Sequence, residues 1–175
     1  MKRLALVVLL TSACLEENSL SGSMSEVFSL DVSRVEIHKN DEAIRVTYLR
    51  NRNIYLDVVA SVTVSLHIPD GGTNSTDGGT LLPLVPGTRI DLAGEYALGH
   101  PRVSVVHAPG GEPPRLLPDV QRGDFFVSHG GNPGEETVGD FSIVFKDTGG
   151  DIGFGRTLSG RFRAVAIDAG FGPLP

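Results

Sequence analysis

The chain contains a single cysteine, Cys14, so no disulfide within the chain can staple the fold. Tryptophan is absent, and Tyr48, Tyr55 and Tyr96 are the only tyrosines. Aromatic platforms for stacking sugars are therefore scarce, which weighs against glycosidase and lectin readings. No apolar run approaches the roughly 20 residues that span a hydrocarbon core, which excludes a lasting transmembrane helix. Basic residues number 15 against 21 acidic ones, a balance that argues against nucleic acid or anionic lipid head groups as electrostatic partners. The five histidines, His38, His67, His100, His107 and His129, never stand at the close spacings of zinc sites and read as scattered imidazoles. No G-x-S-x-G elbow is present either.

What the chain does have begins at its first residue. Met1-Lys2-Arg3 precede the apolar run Leu4-Ala5-Leu6-Val7-Val8-Leu9-Leu10, and small polar residues lead to the cysteine. This is the charged, apolar and small-residue order of an export signal. Leu10-Thr11-Ser12-Ala13-Cys14 resembles the lipobox of bacterial lipoproteins, in which the thiol receives diacylglycerol, the signal is cut before it, and the new amino group is acylated. Thr11 stands where Leu is commoner. The resemblance implies a palmitate-type anchor on Cys14. It also implies sorting to the outer membrane, because Leu15 replaces the Asp that retains such proteins at the inner membrane. The domain would then face the periplasm or the cell surface. The alternative is an ordinary secretory signal in which Cys14 is incidental.

Losing residues 1–13 leaves 162 residues, enough for one domain with a real core. The basic count falls to 13 against 21 acidic residues, a formal charge of −8. The expected organisation is a signal at 1–13, the lipidated cysteine and a short tether at 14–18, and a single β domain at 19–175.

Alternation is the dominant pattern. Val58, Ala60, Val62, Val64, Leu66 and Ile68 alternate with Val59, Ser61, Thr63, Ser65 and His67, which predicts a strand with one buried face. Phe141, Ile143 and Phe145 repeat it, and Val35, Ile37, Ile44, Val46 and Tyr48 predict a hairpin about Asn40-Asp41, although 41–49 also suits a short helix. Further strands are expected within 20–30, 81–92, 102–108, 124–129 and 157–167. About eight or nine strands and no long amphipathic helix predict an all-β, antiparallel β-sandwich, with a β-barrel as the alternative. Leu20-Ser21-Gly22 and Leu158-Ser159-Gly160 share a pattern too short to be a repeat and more simply explained by chance; a real match would make the terminal strands neighbours. Glycine in such a strand marks a bulge or a close backbone approach.

Several motifs have ordinary readings. Arg122-Gly123-Asp124 reads as a turn leading into a strand, and the sequon Asn74-Ser75-Thr76 as a bare polar loop. The glycine-rich segments 70–79 and 147–155 carry Asp70, Asp77, Asp147 and Asp151. Carboxylates on flexible backbone are the ingredients of a calcium site, though neither segment matches an EF-hand, and turns alone also favour Asp and Gly. Strict antiparallel alternation would gather both segments and the 108–118 connection at one pole. The functional expectation is a lipid-anchored, non-catalytic binding or scaffolding domain that needs no cofactor, calcium being the alternative, and that meets an envelope protein partner. Two alternatives are an envelope hydrolase built on Asp147, Asp151 and His129, and a subunit of an outer-membrane assembly.

Overall fold

A computed structural model describes residues 18–68, 80–97, 99–149, 152 and 155–168. The strands are, in chain order, β1 Ser19–Ser21, β2 Arg34–Lys39, β3 Ala43–Arg52, β4 Tyr55–Ser65, β5 Arg89–Asp91 and β6 Glu95–Ala97. They continue as β7 His100–Pro101, β8 Val103–Ala108, β9 Arg115–Leu116, β10 Val120–His129, β11 Glu136–Phe145 and β12 Thr157–Asp168. One 3-10 turn, Ser23–Glu26, is the sole helical element among the described residues. The protein is all-β, as its alternation requires.

Ten strands form one curled sheet, ordered β5-β10-β11-β12-β2-β3-β4-β8-β9 with β1 also on β12, while β6 and β7 make a separate ribbon. β12 joins the two halves of the sheet. Its first part runs antiparallel to β11 and β1, and its last three residues, 166–168, run parallel to β2. This parallel seam departs from the expected all-antiparallel order. β2 and β12 lie far apart in sequence, so the rest of the domain serves as the crossover that parallel strands need. The expected two-sheet sandwich is not formed: the large sheet is continuous and curls as a half-barrel, which brings side chains of its two halves together inside. Tyr48 on β3 meets Phe141 on β11 edge-on, with ring centroids 6.0 Å apart, and Tyr48 Oη donates to the carbonyl of Arg161 at 3.0 Å.

The hairpin about Asn40-Asp41 forms as β2 and β3, so 41–49 is strand and not helix. Asn40 Oδ1 accepts the backbone N–H groups of Glu42 and Ala43, which closes that turn. Ala60, Val62, Val64 and Leu66 are buried as predicted, but a bulge between Val58 and Ser61 shifts the parity below it. Val59 and Asp57 are buried there in place of Val58. One extra residue in a ladder is enough to swap faces.

Two expectations are corrected and one is refined. The strand within 20–30 ends at Ser21, because Gly22 (φ 126°) and the 3-10 turn send Met24 into the core. The strand expected within 81–92 is present as β5 Arg89–Asp91, and most of the stretch before it lies outside the ladders. Pro83 and Pro86 deny it ladder donors, and the chain uses it to pass from a bridge at Leu81 beside β4 to β5 beside β10. Arg122-Gly123-Asp124 is not a turn but lies inside β10, next to a bulge after Val120.

The terminal strands are neighbours, with Leu20 opposite Gly160 and Ser21 opposite Ser159. Gly160 leaves room for the facing rings: a Cβ there would sit 2.5 Å from Phe141 Cε1 and 2.7 Å from Tyr48 Oη. Gly160→Ala is therefore expected to cost about 1–3 kcal/mol by overpacking. A urea midpoint unchanged from wild type would show that the rings yield freely.

Candidate functional site

The outward face of the β2-β3-β4-β8 half is polar. Arg45 lies opposite Thr63, which lies opposite Ser104, and Thr47 lies opposite Ser61. Arg45 Nε donates to Thr63 Oγ1 at 2.8 Å, and the Thr47 and Ser61 hydroxyls are 3.1 Å apart. Alternation along the strands produces this face, since Ile44, Val46, Val62, Val64, Val103 and Val105 occupy the opposite, buried one.

At the end where β4 finishes and β8 begins, this polar face is itself buried. Thr63, Ser65, Arg102 and Ser104 are each at most 5% exposed. Arg102 joins the sheet to the ribbon: its N–H donates to Gly94 at 3.0 Å, and its carbonyl accepts the Ser65 N–H at 2.9 Å. Its guanidinium Nη1 donates to the carbonyl of His67. The His67 ring stacks on Tyr96 of β6 at 5.3 Å, and Tyr96 in turn meets His100 of β7 at 5.7 Å. The three rings contact one another in series, and the His67 backbone carbonyl links that row to Arg102.

Two donors here have no hydrogen-bond partner, Arg102 Nε and Ser104 Oγ. Ser104 lies in β8, and Arg102 is in the bend just before that strand. Each buried unsatisfied polar group costs about 1–3 kcal/mol, and such groups in native proteins call for an explanation. Arg102 forms no ion pair among the described residues. Burial lowers its affinity for the proton, opposed by the field of Asp91. Burial lowers that of Arg45 as well, and it raises the Tyr96 hydroxyl, helped by Glu42. Arg102 is thus a desolvated cation with one open donor, beside the open hydroxyl of Ser104.

The sequence-predicted residues fall elsewhere. Cys14, Asp70, Asp77, Asp151 and the Asn74-Ser75-Thr76 sequon lie outside the described residues. Asp147 is exposed, and its carboxylate accepts the Gly149 N–H at 3.0 Å, an Asp-headed turn. No group of three or more His, Cys, Asp or Glu side chains able to hold a metal occurs among the described residues.

The one-pole arrangement is not what the strand directions produce. β8 runs antiparallel to β4, and β11 opposes β12, which is parallel to β2 and hence to β4. β4 therefore delivers the chain into 69–79 at the end opposite to the exits of β8 and β11. The count of alternating strands failed because β5 joins the other half of the sheet and does not run beside β4. His129 and Asp147 are also kept apart, at opposite ends of the β10–β11 pair. His107 is structural: it stacks on Phe28 at 3.9 Å and its Nδ1 meets the Val59 carbonyl at 2.8 Å.

Sequence reasoning placed Arg102 in a strand and His67 on a polar face, yet missed their meeting with Tyr96 and His100. The available signal was Arg102 and Ser104 alternating with buried Val103 and Val105. No protein-family model, curated protein or solved structure matches this chain.

Proposed function

We propose that this chain is a cell-envelope lipoprotein, held at the outer membrane by lipid on Cys14, whose β domain binds an envelope component and turns nothing over. The observation that carries the binding role is the pair of buried, unpartnered donors, Arg102 Nε and Ser104 Oγ. A guanidinium edge recognises carboxylate or phosphate oxygens, and a hydroxyl beside it adds one further contact. The His67–Tyr96–His100 rings offer a flat wall for the body of the same ligand. Separation of Asp147 from His129 weighs against the hydrolase built on those groups.

Acetate and inorganic phosphate serve as probes. A ligand that binds only the folded state stabilises it by RT ln(1 + [L]/Kd), about 2.7 kcal/mol at a hundredfold excess over Kd. One of the two is expected to raise the melting temperature of the wild type, and Arg102→Met to abolish that rise. The variant also removes the Nη1 bond to the His67 carbonyl, so its own melting temperature is expected to fall, and the readout is the anion-dependent increment above that baseline. If neither anion shifts the wild type, or if the shift survives in Arg102→Met, the site is not an anion site.

A further inference from the structure

The outward side chains of β12 are Arg161, Arg163, Val165 and Ile167, all exposed, with Val165 at 55% and Ile167 at 52%. Gly160, Phe162 and Ala166 take the buried face. The solvated face of a strand ordinarily carries polar groups, so Val165 and Ile167 at successive outward positions form an apolar strip. At the start of the strip Arg161 stands between Ser19 of β1 and Asp140 of β11 and forms no ion pair among the described residues. Arg163 is engaged with Glu136.

The described chain begins beside this strip. Ser19 lies opposite Arg161, and one residue upstream Asn18 Oδ1 accepts the Arg163 N–H at 2.6 Å. That is the donor a Glu17 carbonyl would take if the antiparallel ladder ran on. A longer ladder meets an obstacle, because β2 closes onto β12 at Ala166, beside Ile37. Inward, Phe162 and Ala166 already belong to the core. The outward side remains open to the chain upstream of Asn18, in the direction of Val165 and Ile167. Leu15, Glu16 and Glu17 lie outside the described residues, and their order suits that surface. Glu17 is two residues before Ser19, the neighbour of Arg161. Leu15 is three residues before Asn18, a reach of about 10 Å. Val165 is two residues beyond Arg163, about 7 Å along the strand.

We infer that residues 15–17 form a strap over the outward face of β12, with Leu15 on Val165 and Ile167 and the Glu17 carboxylate beside Arg161. Exposed ion pairs contribute little, so the apolar contact carries the strap and the charges select its course. The strap itself needs no lipid. On the lipid-anchor reading it has a consequence for orientation, since Cys14 then lies toward the Asn40-Asp41-Glu42 end of the sheet. β4 finishes and β8 begins at that same end, which turns the Arg102 region toward the bilayer.

Disulfide trapping in the full chain, as cells process it, tests the strap. Leu15→Cys is combined with Val165→Cys or, for comparison, with Asp31→Cys. Asp31 is exposed and shares with Asn18 the lining of an open cavity of about 780 Å³, the competing surface beside the chain's entry. Mild oxidation should link positions 15 and 165 within one chain, in severalfold higher yield than 15 and 31, as a reducible mobility change on denaturing gels. Adding Glu17→Arg should lower the 15–165 yield severalfold. Equal yields in the two pairs, a higher yield with Asp31→Cys, or no link in either pair overturns the strap. Links between chains in place of the link within a chain overturn it in favour of a second copy covering β12. Val165→Cys alone separates the strap from the anchor: a disulfide to Cys14 in that variant reveals an unlipidated thiol, which defeats the anchor and supports the strap.

Discussion

Asp57→Ala is expected to destabilise the domain by about 3 kcal/mol, the lower end of what breaking a buried ion pair costs. Asp57 is 1% exposed, and the variant strips Arg50 of its carboxylate and Gly110 of its acceptor. Arg50 keeps 22% of its side chain exposed, so water relieves part of the loss. At about 2–4 °C per kcal/mol for a domain of this size, the melting temperature should fall by roughly 6–12 °C. The hydrogen bond from Arg50, then that from Gly110, hold the Asp57 carboxyl below its ordinary value against the opposing effect of burial. A depressed folded-state pKa contributes stability that is fully present above the unfolded value, about 3.9, and is lost as pH falls through the folded value. Wild-type stability should therefore decline below about pH 4, and Asp57→Asn should decline less steeply in that window. Glu136, held low by Arg163, acts in the same direction. Denaturant midpoints at neutral pH and between about pH 4 and 2 measure both effects. An Asp57→Ala midpoint equal to wild type at neutral pH would show that the pair contributes nothing to stability.

Cys14→Ser is expected to have the largest effect on the protein's whereabouts. Without the thiol there is no acceptor for diacylglycerol, so labelled palmitate incorporation should vanish and the protein should no longer mature by cleavage before residue 14. One acyl chain alone binds a membrane with an association constant of only about 10⁴ per molar, whereas two or three chains make a stable anchor. Membrane pelleting that resists high salt in the wild type should therefore depend on the acylated cysteine. A Cys14→Ser protein that still matures and pellets as the wild type does would remove the lipid anchor from this account and return Cys14 to an incidental place in a secretory signal.

Local pattern was enough to set the class of fold. Strict alternation at Ile44, Val46 and Tyr48, at Val62 and Val64, and at Phe141, Ile143 and Phe145 leaves one apolar face per strand. Burial of that face is a local requirement that any compact arrangement must satisfy. The Leu-Ser-Gly match at the two ends, which by itself reads as chance, coincides with the pairing of β1 with β12, where Gly160 stands close to the Phe141 and Tyr48 rings. Which strands meet was settled by long-range packing. A parallel seam between β12 and β2, and the diversion of β5 to the far half of the sheet, are set by how distant faces cover one another, and alternation is blind to both. The bulge at Val58 to Ser61 turned Asp57 inward by adding one residue to a ladder, a change of parity that no residue type announces. The same holds for the candidate site. Arg102, Ser104, His67, Tyr96 and His100 are ordinary at their positions in the chain, and Arg102 becomes a desolvated cation bonded to the Gly94 and His67 carbonyls, with the His67, Tyr96 and His100 rings in contact, only through tertiary packing.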